Sequence, residues 1–397
     1  MESVERKPCA RTDSRSAAAS EPAYVDPATG RTYPLATPRW RAEGGGALMI
    51  TPVPGIGRHD IDTRQRSLWR YAAALPLPIA APISMGEGLT PLIAHRLRGG
   101  TAHLKLEWFA PTGSFKDRGA AVMISLLRQQ GIAHVLEDSS GNGGAAIAAY
   151  AAAGGLRAKI LVPASTQPGK IVQMRAYGAE IELIPGTRQD TAEAAERQAD
   201  SIFYASHNWQ ALFLQGTKTL AYELWEDLGF RAPDNVIIPT GAGSNVLGCD
   251  IGFDELMRRG EIARLPRLFA VQPSNCAPIH ASFVAGANDF IAVATRPTIA
   301  EGTSIAKPVR TREVLAALRR SRGATVAVTE EEIVAAMLEL ARGGIYAEPT
   351  SASAAAAFAN LMRDGAIAPD ETTVVVLTGT GLKATQRIAE LLEGTAR

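Results

Sequence analysis

Residues 105–119 read KLEWFAPTGSFKDRG, and Lys116 decides how the rest of the chain is interpreted. It sits between Phe115 and Asp117, just after the turn-forming run Pro111-Thr112-Gly113-Ser114. That setting suits an amine held at the mouth of a helix. A nucleophilic amine needs a neutral fraction, which partial desolvation supplies. A plain surface lysine at a helix start fits the same few residues, so the reading depends on three further segments.

The first is Asp138-Ser-Ser-Gly-Asn-Gly-Gly144, which follows the strand-like His134-Val-Leu136 and runs into the Ala-rich AAIAAYAAAGG. Alanine is the strongest helix former. Strand, Gly/Ser/Asn turn and helix together aim backbone N–H groups at an anion. Asn142 adds an amide that both donates and accepts. The second segment is Val236-Ile-Ile-Pro-Thr-Gly-Ala-Gly-Ser-Asn-Val-Leu-Gly248. Its Gly241, Ala242, Gly243, Ser244 and Asn245 can cup a phosphate. Val246 stands where a dinucleotide fingerprint needs its third glycine, which argues against a nicotinamide dehydrogenase. The third is Thr373-Val-Val-Val-Leu-Thr-Gly-Thr-Gly-Leu-Lys383. It places the Thr378 hydroxyl at the carboxyl end of a buried parallel strand, where open α/β sheets bind ligands.

Taken together, the chain resembles the second fold type of pyridoxal-phosphate enzymes, the tryptophan-synthase-β-like superfamily, from about Leu68 to Ala389. Within it the threonine synthases are most similar. The stretches that carry this are LWRYAAALPL at 68–77, GEGLTPL at 86–92, SFKDRG at 114–119, GTKTLAYEL at 216–224 and TGTGLK at 378–383. The resemblance implies an α/β fold of two open, mostly parallel twisted-sheet domains with the cofactor between them. It implies pyridoxal 5'-phosphate joined to Lys116 as a Schiff base, with the freed amine acting as base at the substrate's α-carbon. Asn142 is expected on the phenolic oxygen. Residues Gly241, Ala242, Gly243, Ser244 and Asn245 are expected on the phosphate, and Thr378 on the pyridine nitrogen. Ser139, Ser140, Gly141 and Gly143 are expected to hold the substrate carboxylate.

The expected activity is that of a lyase or synthase on a small amino acid, with conversion of O-phosphohomoserine to threonine and phosphate as the leading form. The alternative is β-elimination or β-replacement, as in threonine or serine ammonia-lyases or a cysteine-synthase-like enzyme. An inactive regulatory homologue is a third reading, opposed by the intact Lys116, Asn142 and glycine turn. Three departures from the threonine synthase pattern bear on the substrate. Gly143 stands where that pattern has threonine, Phe213 where an arginine helps grip phosphate, and Thr380 where a histidine is usual. Loss of a charged contact typically costs ~1.5–3 kcal/mol. Lys218 and Arg175 are the candidate replacement cations, with Lys218 read equally as a structural or solvent-facing lysine on its helix.

Composition narrows the function class. The 397 residues suffice for one large or two medium domains, and 46% hydrophobic content supports a full core. A net charge of +1 creates no field for nucleic acid or a membrane surface. No apolar run approaches the ~18 residues of a spanning helix. Three scattered cysteines, Cys9, Cys249 and Cys276, form no disulfide framework or zinc site, which points to a reducing cytoplasm. The six histidines never fall at metal-ligand spacing and read as structural or surface residues. No metal is expected. The first twenty or so residues lack an apolar h-region and read as a mobile arm.

Strand-like runs at 158–162, 180–184, 236–238, 268–271 and 374–377 alternate with helical stretches at 118–130, 169–177, 189–200, 217–228 and 330–342. Such alternation predicts a parallel sheet with right-handed crossovers. The expected organisation is an arm over 1–45, with 24–40 resembling a metal-free ribbon remnant. A larger α/β domain follows from 46–117 and 216–397, and a smaller one from 118–215. A homodimer is expected, with a small amino acid as the only other partner.

Overall fold

The computed structural model describes residues 21–395. The arm before Glu21, including Cys9, lies outside the described residues. Three sheets organise the chain. A small antiparallel ribbon orders Thr32–Pro34, Ala23–Val25 and Met49–Ile50. A parallel four-stranded sheet runs Glu180–Ile184, Arg157–Pro163, His134–Glu137, Phe203–Tyr204. A six-stranded sheet runs Ala324–Val328, Arg267–Pro273, Asn235–Pro239, Thr373–Leu377, Gly100–Leu106, Leu92–Leu97. Only its last pair is antiparallel, a hairpin whose turn uses Gly99 at φ +98°. The sequence reading missed this hairpin and the Ala324–Val328 edge strand, because neither run is purely apolar.

The central strands are buried on both faces. Val236, Ile238, Leu268, Ala270, Val374 and Val376 face one core, while Ile237, Phe269, Val271, Val375 and Leu377 face the other. This is the period of two that puts successive strand side chains on opposite faces. It explains why these segments read as continuous apolar runs. Around the four-stranded sheet, the helices Lys116–Gln129 and Asn142–Gly154 bury nearly all their small side chains. Gly155, at φ +73°, ends the second of these with a left-handed cap. Thr329 and Glu332 close a capping box at the start of Glu330–Arg342. The predicted helix at 217–228 is two, Ala211–Thr217 and Thr219–Asp227, which meet at Lys218.

Four of the five stretches that carry the resemblance converge on the helix Thr219–Asp227. Arg118 Nε and Nη2 each lie 2.7 Å from Glu107, and its Nη1 and Nη2 lie 2.8 and 2.9 Å from Glu223. Glu223 also accepts from the backbone N–H of Leu89 and Thr90, both at 2.8 Å. Lys105 Nζ lies 2.6 Å from Glu223 and 2.7 Å from Asp227. Tyr71 donates to Glu226 at 2.6 Å. Segments 68–77, 86–92, 114–119 and 216–224 are therefore tied into one largely buried polar cluster. Lone charges in such a place would be costly, but here each is paired and hydrogen-bonded.

Candidate active site

Three strand ends bring the site together. Ser139–Gly143 follow the strand His134–Glu137, Gly241–Asn245 follow Asn235–Pro239, and Thr378 follows Thr373–Leu377. Lys116 begins its helix beside the last of these. Phe115 N donates to Thr378 O at 3.0 Å, and Ser114 bridges to Gly379. The result is a cavity of about 810 Å³ lined by all the residues named above: Lys116, Ser139–Gly143, Gly241–Asn245 and Thr378. This is the position that open α/β sheets favour for ligands.

The Lys116 amine lies 4.5 Å from the centroid of the Phe115 ring and 5.6 Å from that of Phe213. Burial pushes its pKa down to about 7; Glu137 and Glu348 oppose the shift and Arg188 adds to it. A substantial neutral fraction of the free amine therefore exists near neutral pH. At the other end, Gly243 has φ +92°, and a Cβ there would lie 2.3 Å from Val314. Only glycine fits. It leads into the helix Ser244–Arg258, whose first residues, Ser244 and Asn245, line the cavity.

A test of fit for pyridoxal phosphate rests on atoms left without partners. Asn245 is buried, lines the cavity, and has no hydrogen-bond partner for either side-chain nitrogen or oxygen. Such a group is costly unless a ligand satisfies it. A helix N-terminus with an unsatisfied amide opposite a readily deprotonated lysine matches a molecule with a phosphate at one end and an aldehyde at the other. The residues present fit the group.

Asn142 Nδ2 donates to both oxygens of Glu348 at 3.2 and 3.3 Å. Burial raises the Glu348 carboxyl above its ordinary range, with Lys383 the main opposing influence. Thr378 Oγ1 lies 3.1 Å from Ser351 Oγ. Sequence reasoning missed Glu348; its only signal was an acid before Pro349 at the start of an Ala-rich helix.

The proposed compensating cations are corrected by the structure. Lys218 is fully buried, bonded to Glu255 at 2.9 Å and to the carbonyl of Ala74 at 2.7 Å, outside the cavity. Arg175 is exposed and does not line the cavity either. Among the described residues, the cations in the wall are Arg188, Lys383 and Arg387 together with Lys116. Phe213 is buried against Gly119, so its position is apolar. Thr380 caps the turn Gly381–Ala384 and does not line the cavity. His207, read from sequence as structural or surface, is buried in the cavity wall. Among the described residues no cluster of His, Cys, Asp and Glu could hold a metal ion, and no helix is long and apolar enough to cross a membrane.

Residues 83–379 match the family described as "Pyridoxal-phosphate dependent enzyme". The chain is 34% identical to threonine synthase from Methanocaldococcus jannaschii over 89% of its own length and 91% of that protein's. It is 35% identical to threonine synthase from Mycobacterium tuberculosis over 76% of this chain and 84% of the other. A solved L-serine ammonia-lyase from Rhizomucor miehei shares the fold at a TM-score of 0.68 and 23% identity, covering 77% of this chain and 98% of that one. The protein is a member of the pyridoxal-phosphate-dependent enzyme family, with the two-domain fold of its second type. Within that family it is a lyase whose cofactor is pyridoxal 5'-phosphate.

Proposed function

We propose that this enzyme is a threonine synthase, taking O-phosphohomoserine to threonine and phosphate. The observation that carries the reading is the placement of the Lys116 amine in one cavity with the Ser139–Gly143 and Gly241–Asn245 turns. The similarity to two threonine synthases supports it. When bound, pyridoxal phosphate supplies an electron sink for bonds to the substrate's α-carbon. In this assignment Gly241, Ala242, Gly243, Ser244 and Asn245 hold its phosphate, and Asn142 holds its phenolic oxygen. Thr378 meets the ring nitrogen. Lys116 carries the cofactor and, once released, holds the α-proton on Nζ. Ser139, Ser140, Gly141 and Gly143 orient the substrate carboxylate at the start of a helix.

The same reading takes residues 118–215 as the smaller domain and places a homodimer in the cytoplasm. A second reading, elimination of ammonia from threonine or serine, is favoured by one observation. Phe213, buried against Gly119, is apolar where a phosphate-gripping cation would stand, and Lys218 is committed to Glu255. Against it, Arg188 and Lys383 remain in the wall to meet an anion. The test is to supply the purified holoenzyme with O-phosphohomoserine, threonine and serine separately and assay released phosphate and ammonia. Phosphate from the first substrate is the expected result. Ammonia from threonine or serine, with no phosphate from O-phosphohomoserine, replaces this assignment with the second.

A further inference from the structure

His207 is held in an unusual way for a residue with no part in the assigned chemistry. Its Nδ1 lies 3.1 and 3.2 Å from the two carboxylate oxygens of Glu137, and its backbone N–H donates to the same carboxylate at 3.1 Å. Glu137 is fully buried and also accepts from Asp138 N at 2.9 Å. The segment is clamped from behind. Buried Arg310 donates to the carbonyls of Asn208 at 3.0 Å and Trp209 at 2.5 Å. The imidazole then fills space that a side chain at position 143 would occupy. A Cβ on Gly143 would lie 2.5 Å from His207 Cε1 and 3.0 Å from Ser139 Oγ. The ring edge therefore lies against the turn assigned to the substrate carboxylate, in the same cavity as Lys116.

A carboxylate accepts, so Glu137 fixes the proton of the neutral ring on Nδ1. Nε2 keeps its lone pair and takes no partner among the described residues. Burial holds His207 well below its ordinary pKa, Lys116 and Arg188 press in the same direction, and Asp138 opposes them. The ring is thus neutral at physiological pH. An acceptor in this position suits a ligand that brings a hydrogen to donate. A phosphate dianion brings none.

We propose that Glu137 and His207 form a hydroxyl-recognition pair in which Nε2 of His207 accepts the hydrogen of a hydroxyl group carried by the bound amino acid. The ligand class is a hydroxy amino acid, whether substrate or product. This rests on the reading of the cavity as an amino-acid site at the Ser139–Gly143 turn. Glu137 acts as a positioning residue, since it touches the ligand only through the ring.

The test has two arms. In protein labelled with 15N-histidine, His207 is expected as the Nδ1–H tautomer, and Glu137→Gln is expected to mix the tautomers. This arm needs no ligand; a wild-type ring protonated on Nε2 overturns the proposal. In the second arm the holoenzyme is titrated with L-threonine and with L-2-aminobutyrate, which lacks only the hydroxyl, following the cofactor's absorbance. Threonine is expected to bind roughly threefold to tenfold tighter, the worth of one net hydrogen bond. His207→Phe is expected to remove that preference while L-2-aminobutyrate binds as before. Should His207→Phe fail to fold, Glu137→Gln is expected to narrow the preference instead. Equal wild-type affinities, or a preference that survives both substitutions, sink the proposal and leave the amino-acid site intact. If neither compound shifts the spectrum, the amino-acid reading falls and this inference falls with it.

Discussion

Gly119 and Gly216 meet where the helices Lys116–Gln129 and Ala211–Thr217 cross. A Cβ on Gly216 would lie 2.0 Å from Arg118 O and 2.7 Å from the Gly119 Cα. These are the glycines of SFKDRG and GTKTLAYEL, so two motifs quoted separately from the sequence are one contact in space. Backbone, unlike a side-chain tip, has nowhere to retreat. Gly216→Ala is expected to destabilise the protein by ~1–3 kcal/mol or more, read from denaturant midpoints. Gly44→Ala, with nothing within 4 Å of the new Cβ, is the control and is expected to change little. Equal midpoints for the two variants would contradict the close crossing.

The Arg118–Glu223 pair predicts a second loss. Both side chains are buried, and each has further partners in the same cluster. Removing one charge strands the other. Glu223→Gln is expected to cost ~3–5 kcal/mol, measured by chemical unfolding. The pH dependence follows from the sign of its shift. Burial raises the Glu223 carboxyl, but Arg118 and Lys105 outweigh it and hold it far below the ordinary value. Its stabilising contribution is therefore present above the unfolded pKa and lost as pH falls through the folded one. Wild type is expected to lose stability on acidification more steeply than Glu223→Gln.

Lys116 is also shifted downward, so its effect on stability likewise improves as pH rises, but in a higher window. Burial lowers its amine from 10.5 to about 7, so between those values the unfolded chain binds a proton the folded chain does not. The cost to the apoprotein is full below about pH 7 and is relieved as pH rises toward 10.5. With Lys116 as the proposed attachment point the neutral amine would be the reactive form, so uptake of pyridoxal phosphate by the apoprotein is expected to rise through pH 7 and then level off. Stopped-flow absorbance measures it. A rise delayed to pH 10 means that burial does not tune this amine, and colour persisting in Lys116→Ala means that the attachment point is elsewhere.

Thr378 gives a prediction about reaction choice. Its hydroxyl lies 3.1 Å from Ser351 Oγ and, in the proposed assignment, would be a neutral partner for the ring nitrogen. A carboxylate there would hold the nitrogen protonated and strengthen the electron sink. Thr378→Asp is expected to raise transamination relative to elimination, followed by keto-acid formation against phosphate or ammonia release. An unchanged ratio counts against the assignment of Thr378.

The sequence alone determined the central parallel strands, the turns at their carboxyl ends and the lysine among them, because each is written locally. Apolar runs are followed by glycine and hydroxyl residues, and backbone geometry restricts what such runs can do. Thus 236–238 and 374–377 could be recognised as buried parallel strands, and their turn residues could be named one by one. The tertiary structure alone decided which charges share a space. Lys218 read equally as a candidate cation and as a structural lysine until its helix set it against Glu255; His207 read as structural or surface until the strand carrying Glu137 came to lie beside it. Glu348 had only the faint local mark of an acid before Pro349, and its partner Asn142 lies 206 residues away. Electrostatics depends on distance and burial, and neither is a property of a short stretch of chain.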